Sequence, residues 1–393
     1  MWQKELTKTF TNLGFREVPQ EPCVMIKGGV IVFFYVDDIV FCYRKKDHEI
    51  VEETKRGLEA RYQISHLGEL KWFLGIHVLR DRQSGKLWLS QQAYIDKLTA
   101  RFDIETTGKL PDTPMTEIEL LPSDGKATKA ETEQYQRKTG SILFAATTTR
   151  PDIAFASSRL ARYNMNPDKS HHEAADRVLK YLHRTRGYAL QFGHQKDAVS
   201  LICASDASFA DNSLDRKSSQ GYVMMLFGGP IAWRANKQDT VTTSSTEAEL
   251  LALSQTAKEA IFLSRLLKAL TLRLDEPLTI QCDNKQTLRL LTEESAKLTT
   301  KLRHVDIYRH WLRQEVKEKR ITLDWMPTAL MLADGFTKSL GKQKHANFRI
   351  SIGLTDETDR LGRELRMEEL RDHIHNLERQ DNAEKELILS SHH

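Results

Sequence analysis

Acidic side chains in the second half of the chain recur at the ends or in the first turns of separate predicted elements. They are Asp206, Glu249, Asp283 and Asp334. Hard divalent cations such as Mg²⁺ prefer oxygen ligands, and two ions about 3.5–4 Å apart suit in-line displacement at a phosphodiester. Four carboxylates from four elements could hold such a pair and offset its charge, which a single carboxylate could not do.

Apolar patterning predicts the strands that must position two of these acids. Asp206 and Asp283 each close a short apolar run, at 201–205 and 278–282, and such runs are typical of buried strands. Between them, residues 221–233 predict a β-hairpin whose turn lies at Gly228-Gly229-Pro230.

The other two acids lie on predicted helical segments. Residues 244–270 begin with capping hydroxyls and carry apolar residues at the spacing of one helix face. Glu247 and Glu249 lie two residues apart near the start of this helix, so only one of them can face a common site. A strand at 321–325 and a helical segment at 329–340, which carries the last of the four acids, complete the region.

The alternative is that the four acids are ordinary surface side chains. Any single one of the 54 Asp and Glu residues is more often solvated than catalytic. Their joint order, on strand, helix, strand and helical segment, favours a shared site.

A second acidic pair lies between two β-prone runs near the N-terminus. Residues 23–34 predict a hairpin through a two-glycine turn, and Tyr35-Val36-Asp37-Asp38 separates it from the run 39–43. Burying uncompensated paired acids would be costly, so a bound cation or exposure at a hairpin tip must relieve them. A polar turn without further function is the alternative.

Composition sets broad limits on the class of protein. The 393 residues suffice for two or three domains, and a net charge of +4 does not by itself indicate nucleic acid. Four cysteines without CxxC spacing indicate buried thiols in a reducing compartment. No apolar run approaches the roughly 18 residues of a membrane span and no signal peptide opens the chain. We therefore expect an intracellular protein, in the cytoplasm or nucleus, that binds no membrane.

Longer segments carry a family resemblance. The order of acids and elements after residue 200 resembles the ribonuclease H fold, and Tyr35-Val36-Asp37-Asp38 resembles the palm-domain metal motif of a reverse transcriptase. The segments 67–78, 87–95, 149–156 and 333–338 are similar to Pol polyproteins of copia-type LTR retrotransposons. The resemblance to this family covers residues 1 to 350, roughly.

The resemblance implies an α/β (α+β) architecture in four parts. They are the truncated C-terminal part of a reverse transcriptase palm and thumb (1–110), a helical connection (111–195), a ribonuclease H-like mixed sheet with flanking helices (196–345) and a helical tail (346–393). Residues 132–190 are predicted helical within the connection. In the tail, the spacing of Leu361, Leu365, Leu370, Ile374 and Leu377 predicts one amphipathic helix.

The resemblance also assigns roles to single residues. Asp206, Glu249, Asp283 and Asp334 are expected to hold two Mg²⁺ ions, with Mn²⁺ as a substitute, and Asp37 and Asp38 are expected at a polymerase metal site. Glu249 is preferred to Glu247 because the residues after it match the family's helix. Basic residues also recur among the apolar positions of residues 150–186, and this charge spacing predicts a helical face against nucleic-acid phosphates at Arg150, Arg177, Lys180 and Arg184. Tyr35 and His304 are expected against nucleic acid as well. A solvated helix face is an equal alternative for the basic residues, and an ordinary structural role is the alternative for His304.

The expected function is Mg²⁺-dependent endonucleolytic cleavage of RNA in RNA–DNA hybrids. The family's polymerase also uses an aspartate on a strand well before the YVDD motif, and the 393 residues contain no counterpart. We therefore expect no DNA polymerisation by this chain alone, with an N-terminal Pol half or self-association as the candidate means of completing it. The alternative function is a catalytically inert retrotransposon remnant that at most binds nucleic acid.

Overall fold

The computed structural model describes residues 2–193, 201–272, 274, 278–296, 298, 300, 302–364 and 366–367. Within these residues the chain forms helices and three β-sheets, which confirms the predicted α+β class. The α-helices are α1 (Trp2–Asn12), α2 (His48–Glu59), α3 (Gln92–Arg101), α4 (Lys129–Thr148), α5 (Ala154–Ala161), α6 (Lys169–Arg184), α7 (Ser245–Ala269), α8 (Lys285–Thr292), α9 (Arg303–Lys317) and α10 (Lys342–Ser351). The strands are β1 (Arg16–Val18), β2 (Glu21–Lys27), β3 (Val30–Tyr35), β4 (Asp38–Cys42), β5 (Trp72–Phe73), β6 (Ile76–Asp81), β7 (Lys86–Ser90), β8 (Tyr188–Gly193), β9 (Ile202–Ser208), β10 (Ser219–Leu226), β11 (Gly229–Lys237), β12 (Leu278–Cys282), β13 (Ile321–Trp325) and β14 (Leu354–Asp356).

The N-terminal sheet is antiparallel, in the order β1-β2-β3-β4. Its apolar residues pack with those of α1 and α2 in a cluster that includes Phe10 and Val32. Two-residue turns, Gly28-Gly29 and Val36-Asp37, join β2 to β3 and β3 to β4. Val36 has a φ of 51°, a conformation that a β-branched residue rarely adopts.

The helices α3 to α6 share one apolar core, which includes Tyr135, Ile142 and Leu179. Two of these helices begin with a capping box. The Thr128 hydroxyl accepts from the backbone N–H of Glu131 at the start of α4, and the Asp168 carboxylate does the same for His171 at the start of α6. These caps fix where the helices begin.

A five-stranded mixed sheet occupies the second half of the chain, in the order β11-β10-β9-β12-β13. Its antiparallel part is β9 to β11, and β12 runs parallel to both β9 and β13. Apolar residues of the long helix α7 pack in one cluster with Cys203 and Ile280, and Val223 belongs to another cluster that includes Phe336. The parallel strands β9 and β12 end at the same edge of this sheet. This confirms the mixed sheet with flanking helices that the sequence predicts for this region.

The remaining sheet, in the order β14-β8-β7-β6-β5, joins distant parts of the chain. Its strands come from three of the four predicted parts, 1–110, 111–195 and 346–393, and they pair antiparallel. Leu361 also belongs to the small cluster of Trp88 and Ala189. Those three parts are therefore not separate structural units, because backbone hydrogen bonds and packing hold them together.

Three local predictions are wrong in their detail. Residues 188–193 form β8, since they pair with β7, although 132–190 was predicted helical. The segment predicted as a helix at 329–340 instead begins with two short 3₁₀ turns, Thr328–Leu330 and Leu332–Phe336. The hairpin turn lies at Phe227-Gly228, where both residues have positive φ, so Gly229 and Pro230 already belong to the edge strand β11.

The predicted helical tail is only partly described. Residues 342–351 are helical, but 354–356 form β14 because they pair with β8. Of the five apolar residues predicted on one helix, Leu361 lies in a helical stretch, and the other four lie outside the described residues. Within the described residues, no helix combines the length and apolarity needed to cross a membrane.

Candidate active site

The mixed sheet brings four predicted acids to one region. Asp206 lies on β9, two residues before that strand ends, and is 3% exposed. Glu249 lies near the start of α7 and is 5% exposed, Asp283 directly follows β12, and Asp334 lies in the second 3₁₀ turn. Because β9 and β12 are parallel neighbours and α7 packs along β9, all four elements meet at one edge.

Neighbouring hydroxyl and amide groups orient three of the carboxylates. The Thr337 hydroxyl donates to Asp206 Oδ2. The backbone N–H of Ala207 donates to Glu249 Oε1 over 3.4 Å, and the Thr328 hydroxyl donates to Asp283 Oδ2 over 2.7 Å. These donors hold the carboxylates in place before any ligand arrives.

The fourth carboxylate forms an ion pair. Lys338 Nζ lies 2.6 Å from Asp334 Oδ1, one helical turn further along the chain. Burial alone would lower the pKa of Lys338, but the bond to Asp334 and the charges of Asp206 and Asp283 outweigh it and raise that pKa. Lys338 is therefore a fixed cation beside the acidic cluster.

A glycine permits the close approach of the 3₁₀ turn to the sheet. Gly221 pairs with Asp206 across β10 and β9. A Cβ atom at this position would lie 2.5 Å from Cβ of Phe336 and 3.1 Å from the carbonyl oxygen of Arg234. The missing side chain thus lets Phe336, and with it Asp334, lie against the sheet.

The structure distinguishes the two glutamates of α7. Glu247 Oε2 accepts from the backbone N–H and the hydroxyl of Thr243, at 2.6 and 2.7 Å, so its carboxylate is engaged at the start of the helix. Glu249 instead lies beside Ala207, and its pKa responds to the charges of Asp206 and Asp283. The geometry therefore places Glu249 in the acidic cluster and leaves Glu247 outside it.

Burial and mutual repulsion shape the electrostatics of the cluster. Burial, supported by the charges of Asp334 and Asp283, raises the pKa of Asp206 to about 6, although the Thr337 hydrogen bond and Lys338 oppose this. Burial and the charges of Asp206 and Asp283 raise the pKa of Glu249 well above its usual value. Without a further cation, the cluster holds charge only at a free-energy cost.

The donor set fits hard divalent cations. Glu249, Cys282 and Asp283 place their nearest donor atoms within 4.8 Å of one another. Cys282 is fully buried, burial raises its pKa well above the usual value, and its thiol donates to Glu249, so it remains a neutral neighbour. In the part of the chain that the structure describes, Lys338 alone forms an ion pair with the four acids, which leaves excess negative charge for oxygen-seeking Mg²⁺ or Mn²⁺ to offset.

The YVDD residues lie apart from this cluster, on the N-terminal sheet. Val36 and Asp37 form the turn between β3 and β4, and Asp38 begins β4 opposite Tyr35. All four side chains are exposed, so exposure relieves the repulsion of the two acids. Their role in metal binding, and that of Tyr35 in nucleic-acid binding, stay predictions.

Arg150 does not lie on a nucleic-acid surface, and this prediction is wrong. Its side chain is fully buried and forms a bidentate pair with Asp152, while it also donates to Thr185. Tyr181 donates to the same carboxylate over 2.6 Å. The charge spacing that suggested a basic face cannot show that Arg150 points into the core.

The other predicted basic residues of the connection contact the preceding segment of the chain. Arg177 donates to Thr113, Lys180 lies 3.6 Å from Glu105, and Arg184 pairs with Asp112 over 2.6 Å. These three side chains are partly or fully exposed, and each has a partner within the chain. Their contact with nucleic acid stays a prediction.

His304 lies at the start of α9. Its Nε2 lies 3.3 Å from the hydroxyl of Thr240, in the loop between β11 and α7. This contact supplies the structural partner that the alternative interpretation of His304 expects, and its contact with nucleic acid stays a prediction.

Sequence reasoning missed Thr337, Lys338 and Cys282. The first two lie three and four residues after Asp334, the spacing of one helical turn, so they could have been assigned from that offset. Cys282 is the last residue of β12, directly before Asp283, and its sulfur lies within 4.8 Å of the nearest donor atoms of Glu249 and Asp283. No sequence signal shows that Cys282 lies beside Glu249.

Comparison with known proteins sets this geometry in a family. A family model described as reverse transcriptase (RNA-dependent DNA polymerase) matches residues 1–117. The putative transposon Ty5-1 protein of Saccharomyces cerevisiae is 30% identical over 264 residues, covering 66% of this chain and 84% of that protein. The chain belongs to the Pol family of copia-type LTR retrotransposons.

Two longer Pol polyproteins of plant transposons are similar to nearly the whole chain. The retrovirus-related Pol polyprotein from transposon TNT 1-94 of Nicotiana tabacum is 31% identical over 364 residues, covering 90% of this chain and 27% of the polyprotein. The Pol polyprotein from transposon RE1 of Arabidopsis thaliana is 32% identical over 358 residues, covering 90% of this chain and 24% of that polyprotein. The chain thus spans about a quarter of the length of these polyproteins.

Solved structures give weaker likenesses to this copia-type chain. The N-terminal ribonuclease H domain of a Mycobacterium tuberculosis protein matches with a TM-score of 0.28 and 14% identity, covering 39% of this chain and 99% of that one. A foamy viral protease-reverse transcriptase in complex with an RNA/DNA hybrid matches with a TM-score of 0.40 and 16% identity, covering 76% of this chain and 36% of that one. The family assignment rests on the sequence relatives.

Proposed function

We propose that the mixed-sheet region of this chain is a ribonuclease H that hydrolyses the RNA strand of RNA–DNA hybrids with two Mg²⁺ ions, or Mn²⁺ in their place. The observation that carries the proposal is the convergence of Asp206, Glu249, Asp283 and Asp334, two of them buried and with raised pKa values. Buried carboxylates that repel one another are costly in a structural role, whereas metal binding uses them.

The carboxylates would hold the metal ions, and the surrounding residues would hold the carboxylates. When bound, the ions would supply an activated water and stabilise the leaving 3′ oxygen, giving a 3′ hydroxyl and a 5′ phosphate. Thr337, Ala207 and Thr328 keep the oxygens of Asp206, Glu249 and Asp283 oriented, so little reorganisation precedes binding. We expect the hybrid to be recognised by its shape and 2′-hydroxyls and not by base sequence.

The test is cleavage of a hybrid whose RNA and DNA strands carry different labels. We expect purified protein to cut only the RNA strand in Mg²⁺, and EDTA to stop the reaction. Asp283→Asn should lose at least 100-fold in rate, because removal of one preorganised charged group typically costs about 10²–10³. Asp324→Asn is the matched control, since Asp324 is exposed on the neighbouring strand β13, and it should cut normally.

The inert-remnant alternative makes the opposite forecast. It expects a folded protein that binds the hybrid and leaves both strands whole in Mg²⁺ and in Mn²⁺. Equal rates for Asp283→Asn and Asp324→Asn would also reject the proposed site, because the activity would then come from elsewhere or from a contaminant.

A further inference from the structure

A cavity outside the acidic cluster is lined by residues that the proposed chemistry does not use. It has a volume of about 650 Å³ and lies between the segment 109–113, helix α6 and the first residue of α10. Its charged lining includes Lys109, Asp112, Arg177, Lys180 and Lys342.

One carboxylate sits between two cations at this cavity. Asp112 Oδ1 lies 2.6 Å from Arg184 Nη1, and Asp112 Oδ2 lies 2.9 Å from Lys342 Nζ. The Arg184 guanidinium also donates to the carbonyl oxygen of Leu110. Both cations are exposed and the acid is half-buried, and ion pairs near the surface contribute little to stability.

The other acids at the cavity are matched by cations of their own. Glu173 pairs with Lys169 over 3.7 Å, and Asp176 pairs with Lys138. Lys180 is likewise matched, by Glu105. Each of these pairs is neutral, so none of them changes the net charge of the cavity.

The cavity therefore carries excess positive charge. Lys109 and Arg177 form no ion pair within the described residues, and the hydrogen bond of Arg177 to Thr113 leaves its charge uncompensated. Together with Arg184 and Lys342 they are four cations around the single carboxylate of Asp112. The surplus of three positive charges, in an open concave site, suits a polyanion.

The cavity lies close to the acidic cluster, which favours nucleic acid as the polyanion. Lys342 lies four residues after Lys338, which pairs with Asp334 of the acidic cluster. Four residues span at most about 15 Å between Cα atoms. Phosphates along one nucleic-acid strand are about 3.4 Å apart along the helix axis, so this separation corresponds to a few base pairs of a duplex at the cluster.

We propose that this cavity binds backbone phosphates of the duplex whose RNA strand lies at the acidic cluster, and that Asp112 occupies a phosphate position when no nucleic acid is bound. The inference rests on the proposed function, because it assumes a duplex at that cluster. Binding would require Arg184 and Lys342 to exchange the Asp112 carboxylate for phosphate oxygens. Arg and Lys both make such contacts, which are sequence-independent and salt-dependent.

The proposal predicts opposite effects for the two partners of one ion pair. The probe is a fluorescein-labelled 20-base-pair RNA–DNA hybrid, titrated in EDTA so that it stays uncut, at several salt concentrations. Lys342→Ala should weaken binding about three- to fivefold and reduce the slope of log affinity against log salt by about 1. Asp112→Asn should tighten binding by a similar factor, because it removes the competing anion and leaves the cations in place.

Lys129→Ala is the control, since Lys129 is an exposed cation at the start of α4 that pairs with Glu133, and neither residue lines the cavity. It should leave affinity and salt slope unchanged. Unfolding in urea checks that each variant is folded, and Lys342→Ala gives an independent answer if Asp112→Asn loosens the segment. Weakened binding for both Lys342→Ala and Asp112→Asn would overturn the proposal, since a merely structural ion pair predicts that result.

The outcomes for the cavity and for the proposed function are separable. Normal cleavage in Mg²⁺ with unchanged hybrid affinity in Lys342→Ala would overturn the cavity assignment and leave the ribonuclease H proposal intact. Absent cleavage by wild-type protein, together with the opposed affinity changes, would reject the catalytic proposal and retain the cavity as a backbone site.

Discussion

At the scale of single residues, the acidic cluster works against the stability of the metal-free fold. Asp206 is almost fully buried, and its carboxyl has a pKa raised to about 6 by that burial and by neighbouring acids. At neutral pH the folded protein must therefore carry a charge that the unfolded chain carries more easily in water. The burial on which the metal-binding proposal rests also weakens the fold around this residue.

The first prediction concerns Asp206→Asn in EDTA. At pH 7.5 we expect this variant to be about 2–3 kcal/mol more stable than the wild type, because a shift of about two pKa units corresponds to that free energy. The folded wild type takes up its proton near pH 6 and the unfolded chain near pH 4, so lowering the pH through this window stabilises the wild type relative to the variant. Urea unfolding at pH 7.5 and pH 5 should show the difference shrink by about 1 kcal/mol.

Saturating Mg²⁺ provides the control for this prediction. Bound cations offset the buried charge, so the wild type should gain more stability from Mg²⁺ than the variant does. A variant that is less stable than the wild type at pH 7.5 in EDTA would show that Asp206 is not under the strain that its burial implies.

The second prediction concerns Arg150, whose buried guanidinium serves the core. Arg150→Met leaves the Asp152 carboxylate buried without its partner, and we expect a loss of about 3–5 kcal/mol in urea unfolding. The double variant with Asp152→Asn should recover part of this loss, because both charges are then gone.

The comparison variant for Arg150 is Lys129→Ala, at an exposed i,i+4 pair, which should change stability by less than about 0.5 kcal/mol. The interpretation of Arg150 as a core residue would be contradicted if Arg150→Met kept the wild-type free energy of unfolding and reduced the slope of log hybrid affinity against log salt. That result would support contact between Arg150 and nucleic acid.

At the scale of elements, the site depends on how closely a 3₁₀ turn approaches a strand. The turn Leu332–Phe336 carries Asp334, and it reaches the sheet where Gly221 of β10 has no side chain. This packing contact and the ion pair with Lys338 together position the fourth carboxylate.

The third prediction compares two glycine substitutions. Gly221→Ala should cost about 1–3 kcal/mol and lower the cleavage rate, because the new methyl group overlaps Phe336 and displaces the turn. Gly140→Ala in α4 meets no atom within 4 Å and should stabilise the protein by about 0.5–1 kcal/mol without affecting cleavage. Measured rates that stay equal in both variants would show that Asp334 does not depend on this contact.

Local signals predict elements well and their partners poorly. The helix α7 and the strands β9 and β12 were predicted within three residues, because a cap, a helical period and short apolar runs are contained in the segments themselves. Glu249 could be chosen over Glu247 only through the family resemblance. The contacts of Thr337 and Cys282 could not be predicted, because they depend on how elements distant in the sequence pack together. Arg150 was misassigned because charge spacing on a chain does not reveal which face of an element the core covers.

At the scale of the whole molecule, the sheet β14-β8-β7-β6-β5, here called the composite sheet, joins segments that are far apart in the sequence. These segments are therefore not independent folding units. Strand β7 pairs with β8, and β8 pairs with β14, although long stretches of chain lie between them. The apolar core of the connection also includes Ile95 and Leu98 of α3. The N-terminal and central parts of the chain are therefore held together by non-covalent contacts.

The fourth prediction uses a single cut in the backbone. Lys126 is exposed in the segment before α4, so limited trypsin treatment should nick the chain there. We expect the two fragments to co-elute in gel filtration under native conditions and to separate in urea, since the β7–β8 pairing and the α3 contacts persist. Fragments that separate without denaturant would show that the two parts are independent units.

The composite sheet has a consequence for synthesis on the ribosome. Strand β8 emerges long before β14, and at about 5–20 residues per second the interval is on the order of 10–30 s. During that time β8 has an open edge that its final partner has not yet covered, and open edges invite pairing with other chains. Nascent copies made on the same message are therefore at greatest risk of aggregating while the last strand is still being translated.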